Sequence, residues 1–171
     1  MHDYLSEEQT KSVIHAFVTS KLDSFNSLLG GLPATVISKL QRIQNSSAKL
    51  IMGGKKHDHV TPILRHLHWL PVQQRIQFKL LLLAYKALTG EGPLYLRELL
   101  FLYTPTRSLR SSSDVIRLTI PRTKLKTYGD RAFSAIVPRL WNALPTSIKV
   151  APSVQTFKTS LKTHFFNVAH K

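Results

Sequence analysis

Four histidines and one aspartate lie close together in the sequence and are the first candidates for chemistry. They occur as His57-Asp58-His59 and as His66-Leu67-His68. A zinc site needs three or four imidazole or carboxylate ligands that converge at about 2.0–2.1 Å. Residues i and i+2 of a helix point about 200° apart, so His66 and His68 cannot bind one ion unless a helix ends between them. We therefore predict no metal site and expect these histidines to cap, pack or contact phosphate.

Carboxylates and glycines are not arranged as familiar catalytic motifs require. Glu7 and Glu8 are the only adjacent acids, and a pair in a first helical turn is explained by the helix dipole. No nucleophile elbow is present, and neither Gly30-Gly31 nor Gly53-Gly54 has the P-loop pattern, although GGKK (53–56) could contact phosphate non-specifically. We predict no catalytic residue, no cofactor and no enzymatic activity for this chain.

Basic side chains are the strongest signal. The chain has 24 Lys+Arg against 9 Asp+Glu, a formal net charge of +15, and such a charge attracts polyanions. A dense basic group within residues 107–131 is opposed there only by Asp114 and Asp130. Backbone phosphates reward many point charges without exact spacing, so the pattern indicates a nucleic-acid surface; a plain solvated face is the alternative. The predicted phosphate contacts are Arg75, Lys79, Arg107, Arg110, Arg117, Arg122, Lys124, Lys126 and Arg131.

Composition limits the class of protein. With 171 residues, 43% hydrophobic and 19% charged, the chain can build a core and falls outside the range of disordered proteins. It has no cysteine, which excludes disulfides and Cys-containing zinc fingers. The longest apolar run, LLLLAY (80–85), is too short to cross a membrane, and no signal peptide is recognisable. We expect an intracellular protein of the nucleus or cytoplasm, neither secreted nor membrane-bound, and leave its oligomeric state open.

Apolar residues at helical spacing predict that most of the chain is α-helical. Ser6 and Gln9 have the capping-box spacing and begin a first helix that should continue to Gly30-Gly31. A second helix should run from Pro33 to Gly53-Gly54 with a basic outer face.

The stretch HLHWLP (66–71) is predicted to join two further helices. A short helix should run from Thr61-Pro62 to about Leu67, and Pro71 should open a central helix that ends before Gly90. We expect Trp69 to fill the core at this joint.

Residues beyond the central helix are more mixed. We predict a short helix in 94–102, a strand or extended segment near 115–128, where VIRLTIP (115–121) alternates, and a last helix from about Ser153. Pro138 should kink or start a helix. The predicted fold class is mainly α, a helical bundle of about six or seven helices with one short β or extended segment.

Three motifs in a fixed order resemble a known family. LHWLP (67–71), YGDRAF (128–133) and LWNALP (140–145) resemble the C-terminal region of the reverse transcriptase polyprotein of vertebrate non-LTR retrotransposons, the LINE elements of the chicken-repeat-like group. The resemblance covers roughly residues 5–166.

The resemblance implies a role in RNA-directed DNA synthesis for the parent protein, which usually also has an endonuclease. The family's polymerase motif ends in two adjacent aspartates that hold magnesium, and this sequence has no Asp-Asp pair. We therefore expect the palm and fingers to lie upstream of Met1 or to be missing. The resemblance implies that the tail beyond the polymerase handles template RNA or target DNA.

Four segments follow from the helical patterns and the resemblance together. They are a helical hairpin resembling the thumb end of the polymerase (5–52), a central helical subdomain (57–102), a basic Ser/Arg-rich loop and strand segment (103–130) and C-terminal helices (131–168).

The predicted function is that of a non-catalytic fragment that binds the RNA or DNA phosphate backbone without sequence preference. One alternative is an interaction segment that packs on the missing polymerase core, which exposed apolar surface on the first helix would favour. Another is a genomic relic with no selected function.

Overall fold

The structure is a computed structural model that describes residues 5–104 and 116–170. It is mainly helical, which confirms the predicted fold class. The α-helices are α1 (Glu7–Ile14), α2 (Ser20–Asp23), α3 (Ala34–Ile51), α4 (Val60–His66), α5 (Val72–Thr89), α6 (Leu94–Glu98), α7 (Phe133–Ala143), α8 (Thr146–Lys149) and α9 (Val154–Ala169). Within the described ranges, no helix combines the length and apolar character needed to cross a membrane.

The chain forms two compact units. The first unit comprises Met1–Ile76 and His164–Lys171, and the second comprises Gln77–Thr163. This division differs from the four predicted segments, since its boundaries fall inside α5 and α9 and not in loops. A long helix is continuous in its backbone hydrogen bonds, yet its two ends can bury side chains in different cores, and composition along the sequence does not mark such a boundary.

The predicted continuous first helix is wrong. Its start is as expected, because Ser6 and Gln9 form the full capping box of α1. The helix then widens into a π-helical turn (His15–Thr19), continues as α2, and is followed by a 3₁₀ turn (Asn26–Leu29). Ser20 and Ser24 each bond to the carbonyl four residues earlier, an interaction that bends helices. Phe25 then takes a left-handed conformation, with φ 56°, so the first helix ends early.

Helix α3 agrees with the prediction and ends in a glycine cap. Gly53 has φ 63°, and the Gly54 amide donates to the Lys49 carbonyl over 2.8 Å. This 6→1 hydrogen bond beyond a left-handed glycine is that of a Schellman motif, which satisfies a carbonyl left unpaired at the end of the helix.

Two glutamines of α3 hold the joint between α4 and α5. Gln44 is buried and donates through Nε2 to the Leu70 carbonyl over 2.9 Å, while Gln41 Oε1 accepts from the Val72 amide over 2.8 Å. Pro71 interrupts the backbone bonding between these two groups, so the glutamine side chains replace helical partners that the joint lacks.

The structure confirms the predicted joint at HLHWLP. Helix α4 ends at His66, His68 takes a left-handed φ of 54°, and α5 begins directly after Pro71. Trp69 is buried with Ile14, Ala48, Ile51 and Leu64 in the core of the first unit. The indole thus connects α1, α3 and α4, as a core-filling residue should.

The core of the second unit is built on stacked aromatic rings. Phe157 and Trp141 are fully buried, and Phe157 stacks on Tyr85 with the ring centroids 4.2 Å apart. The Tyr85 hydroxyl donates to the Ala151 carbonyl over 2.7 Å, so the buried Tyr85 side chain has a hydrogen-bond partner. Pro138, expected at a kink or a helix start, lies buried inside α7.

The glycine cap of α3 supplies the first prediction. Replacing Gly53 by alanine places a Cβ in the left-handed region, so we expect Gly53→Ala to lower the free energy of unfolding by about 1 kcal/mol. Asparagine tolerates that region better, and Gly53→Asn should lose less. Urea denaturation measures both. Equal losses for the two variants would contradict the capping role.

Candidate nucleic-acid interface

An antiparallel contact between two short extended segments forms the centre of the candidate interface. The Tyr103 amide donates to the Arg117 carbonyl over 2.9 Å, and the Thr119 amide donates to the Phe101 carbonyl over 2.8 Å. These two bonds flank the bridge between Leu102 and Leu118. We call Phe101–Tyr103 with Arg117–Thr119 the ribbon.

The ribbon corrects two sequence predictions. The short helix predicted for 94–102 ends at Glu98, and Phe101–Tyr103 are instead extended and pair with the second segment. The strand predicted near 115–128 is described from residue 116 onward and contributes only the bridge at Leu118, with no longer ladder among the described residues. The alternating pattern identified an extended segment but could not identify its partner.

Helix α7 supplies the remaining partners of the ribbon backbone. Asn142 clamps Leu118 by bonding both of its backbone groups, because its Oδ1 accepts from the Leu118 amide over 3.0 Å and its Nδ2 donates to the Leu118 carbonyl over 2.8 Å. Trp141 Nε1 donates to the Ile116 carbonyl over 3.0 Å. Both side chains belong to the LWNALP motif, so this motif positions the extended segment through side-chain bonds that imitate a neighbouring strand.

The side chains of the ribbon differ in exposure. Leu118 is buried at 2% exposure and anchors one face, although its bridge partner Leu102 on that face is 60% exposed. Side chains alternate along extended backbone, so Phe101, Tyr103 and Arg117 lie on the opposite face. Phe101 and Tyr103 are 67% and 53% exposed, and Arg117 is also exposed. Tyr103 lies opposite Arg117 across the ribbon, where Cβ atoms are typically about 5 Å apart. One face therefore presents two aromatic rings and a guanidinium to solvent.

Three of the predicted cations continue this exposed surface along the chain. Arg122, Lys124 and Lys126 are exposed and follow the ribbon in the same segment, together with Tyr128, which is 75% exposed. Lys79 on α5 is also exposed. Arg117, Arg122, Lys124 and Lys126 are thus all exposed on one basic segment, residues 117–128, which also carries the exposed ring of Tyr128.

Asp130 offsets the positive charge of this segment less than the sequence suggests, because its carboxylate already has partners. Its Oδ1 accepts from Arg139 Nη2 over 2.7 Å and also from the Thr123 hydroxyl. The hydrogen bonds from Arg139 and Thr123 hold the pKa of Asp130 below its ordinary value, so the carboxylate stays ionised and is compensated locally. Because it ties Thr123 to the turn before α7, Asp130 shapes the basic segment.

Four of the predicted phosphate contacts do not add a described, exposed cation to this surface. Arg75 lies in the first unit, where its Nε donates to Asp23 Oδ1 over 2.9 Å and its Nη2 pairs with the other carboxylate oxygen. Only 18% of the Arg75 side chain is exposed, so this guanidinium is committed to the ion pair. Arg131 is half-buried, and its Nε is buried without a partner among the described residues. Arg107 and Arg110 lie outside the described residues.

The structure adds a buried lysine that the sequence does not reveal. Lys149 is 5% exposed, and its Nζ donates to the Asn142 carbonyl over 3.3 Å. Burial lowers the pKa of Lys149, and the charge of Arg117 lowers it further. A single lysine in a short helix carries no sequence signal of burial. The exposed rings of Phe101 and Tyr103 also carry no sequence signal, since the sequence pattern divides FLY (101–103) between a helix and a loop.

His68 and Asp58, two of the candidate metal ligands in the sequence, make structural contacts. His68 stacks on Phe166 with centroids 5.7 Å apart, and its Nδ1 lies 3.1 Å from the His66 carbonyl. Asp58 Oδ2 accepts from the Lys55 amide over 2.6 Å and closes the loop after α3. Among residues 5–104 and 116–170, no three side chains of metal-ligating type gather as a metal site requires.

The asparagine clamp gives a stability prediction. Asn142→Ala removes two hydrogen bonds to a half-buried backbone, so we expect the free energy of unfolding to fall by about 2 kcal/mol. Trypsin should also cut the freed segment after Arg117 and Arg122 faster than in the unchanged chain. Asn167→Ala, which removes an exposed amide on α9, is the control and should change neither measurement. Unchanged cleavage of Asn142→Ala would refute the clamp.

Lys149 gives a pH prediction. Its lowered pKa means that, between this pKa and the ordinary lysine value of about 10.4, the folded chain binds fewer protons than the unfolded chain. The free energy of unfolding therefore rises with pH in that window, and below it the buried charge is destabilising.

We expect Lys149→Met to raise the free energy of unfolding at neutral pH and to flatten the rise at alkaline pH, as measured by urea denaturation across pH. Lys158→Met, at an exposed position of α9, should keep the slope of the unchanged chain. An equally steep rise in Lys149→Met would contradict this assignment.

Comparison with protein-family models, curated proteins and solved structures found no match for this chain. The resemblance to LINE reverse transcriptases therefore stays a prediction.

Proposed function

We propose that this chain is a non-catalytic C-terminal fragment of a LINE-type reverse transcriptase and that it binds RNA or DNA without sequence preference. The observation that carries the binding proposal is the exposed face of the ribbon. There Phe101, Tyr103 and Arg117 lie together, and Arg122, Lys124 and Lys126 follow in the same segment.

Two physical effects support nucleic acid as the ligand. Exposed arginines and lysines attract phosphates and release counterions, which gives affinity for any sequence. Exposed aromatic rings stack on bases, an interaction worth about 1–3 kcal/mol per base and tolerant of base identity. Stacking requires unpaired bases, so the surface favours single strands over duplexes.

Salt dependence tests the electrostatic part. About five phosphate contacts predict that affinity for a single-stranded oligonucleotide falls about 100-fold between about 50 mM and about 200 mM salt. The double variant Arg117→Gln/Arg122→Gln should lower the slope of log affinity against log salt by about 1.4.

Lys158→Gln/Lys162→Gln removes two exposed charges of α9 and should change that slope less. Filter-binding titrations measure all three proteins. Absence of binding by the unchanged chain at the lower salt concentration would refute the proposed function.

Removing the aromatic rings tests the stacking part. We expect Phe101→Ala/Tyr103→Ala to weaken single-strand binding by about 2 kcal/mol or more, because two stacking positions are lost. Duplex affinity and the salt slope should hardly change, since the charges remain. Fluorescence anisotropy with matched single-stranded and duplex probes separates these effects. An equal loss for both probes would contradict stacking.

Exposed apolar side chains in the first unit favour a second candidate function. Phe17, Phe25 and Leu28 are 74%, 80% and 70% exposed, all in the region predicted as the first helix. We propose as the alternative that this surface packs on an upstream polymerase core and excludes water there. Co-expression with a palm-thumb segment should then raise the soluble yield, and Phe17→Ser/Phe25→Ser should remove the need for it. Unchanged yield in both experiments would count against the alternative.

A further inference from the structure

A basic groove on the first unit lies outside the proposed interface. It has a volume of about 480 Å³ and runs beside α3 and the loop that follows it. Its polar lining comes from Arg42, Asn45, Ser46, Lys49, Gly54 and Lys56. None of these residues belongs to the ribbon or to the basic segment of the second unit.

Backbone contacts hold the loop that forms one wall of the groove. Lys49 Nζ donates to the Lys56 carbonyl over 2.7 Å, and the Gly54 amide donates to the Lys49 carbonyl over 2.8 Å. Asp58 accepts from the Lys55 amide over 2.6 Å. The glycine cap and these bonds order the loop before any ligand arrives, so binding does not need to order it.

The groove has the electrostatics of a polyanion site. Three of its lining residues are cationic and none is acidic. Asp58 lies beside Gly54, since a Cβ added at Gly54 would be 3.3 Å from Asp58 Oδ2, but that oxygen already accepts from the Lys55 amide. That bond leaves the charge of Asp58 in place, so the local balance is one carboxylate against three cations and is positive.

Neutral donors complete the lining. Asn45 Oδ1 accepts from Gln41 Nε2 over 2.8 Å, which leaves the Asn45 amide NH₂ as a donor. Ser46, on the same helix, adds a hydroxyl to the lining. A guanidinium, two ammonium groups and neutral donors around an open groove suit phosphate oxygens, which accept several charge-assisted hydrogen bonds.

We propose that this groove binds consecutive phosphate groups of a single chain. Three cations suit a ligand with two or more phosphates better than a ligand with a single carboxylate. The open shape of the groove admits a chain that continues beyond it. Consecutive phosphates occur in a nucleic-acid backbone and in a free oligophosphate, and the groove recognises the chemistry that the two share. The site does not rest on the ribbon, because its residues and its ligand groups are independent of base stacking.

The test compares two double variants of the full chain that lose the same charge from the same unit. Arg42→Gln/Lys56→Gln replaces two of the three cationic side chains that line the groove. Lys39→Gln/Arg65→Gln removes an exposed lysine and an exposed arginine that do not line it. All four positions are exposed, so both variants should fold, and thermal melting followed by circular dichroism checks this.

Two probes separate the possible sources of phosphate. Inorganic tripolyphosphate has no bases, and an oligothymidine of about 16 nucleotides offers a backbone long enough for one binding site. The oligonucleotide is titrated in the Phe101→Ala/Tyr103→Ala background, so failure of the ribbon does not mask the groove. Isothermal titration calorimetry at low salt gives the affinities.

We expect the groove variant to bind at least one probe about tenfold more weakly than the matched control, because charge-assisted contacts are lost. Weaker binding of tripolyphosphate identifies a site for free oligophosphates as well as backbones, and weaker binding of the oligonucleotide alone identifies a nucleic-acid site. Equal losses in the two variants would show a diffuse charge effect and overturn the proposal. Failure of the control variant to bind either probe would overturn it as well.

Discussion

The bond pair between Asn142 and the Leu118 backbone is the constraint on which the candidate interface depends. An extended segment needs partners for its amides and carbonyls, and this one has only a short backbone neighbour at Phe101–Tyr103. Asn142 supplies a donor and an acceptor from one side chain, and Trp141 supplies a second donor. Because Trp141 also packs on Phe157, the core of the second unit sets the position of the exposed rings and cations.

Ion pairing of two acidic residues at their own positions leaves the basic surfaces with a positive potential. Asp23 compensates Arg75, and Asp130 compensates Arg139 while it holds Thr123. Asp58 accepts from a backbone amide in the loop after α3. Asp23 and Asp130 are each paired with an arginine, and Asp58 stands alone against three cations of the α3 groove, so the basic segment and the groove keep a positive potential for an external anion.

At the HLHWLP joint, histidines of a type that could bind metal or catalyse a reaction have structural roles. The histidines there pack and end a helix, with His68 left-handed and stacked on Phe166. The chemistry of the joint lies instead in Gln41 and Gln44, which satisfy the backbone on either side of Pro71. Buried polar groups of this kind need partners, which explains why two glutamines occur on the inner side of α3.

Local rules in the sequence determined the helices that have strong periodicity and clear ends. The capping box of α1, the glycine cap of α3, the start of α5 after Pro71 and the last helix were all predictable, because each depends on residues a few positions apart. The net charge and the basic segment were equally evident. Only the tertiary structure decided the ribbon, the ion pair of Arg75 and the burial of Lys149. The partners in the ribbon and in the ion pair lie far along the chain, at separations of 24 residues for Asn142 and Leu118 and 52 for Arg75 and Asp23. Sequence periodicity carries no information about which distant groups meet, or about which single lysine of a short helix is buried.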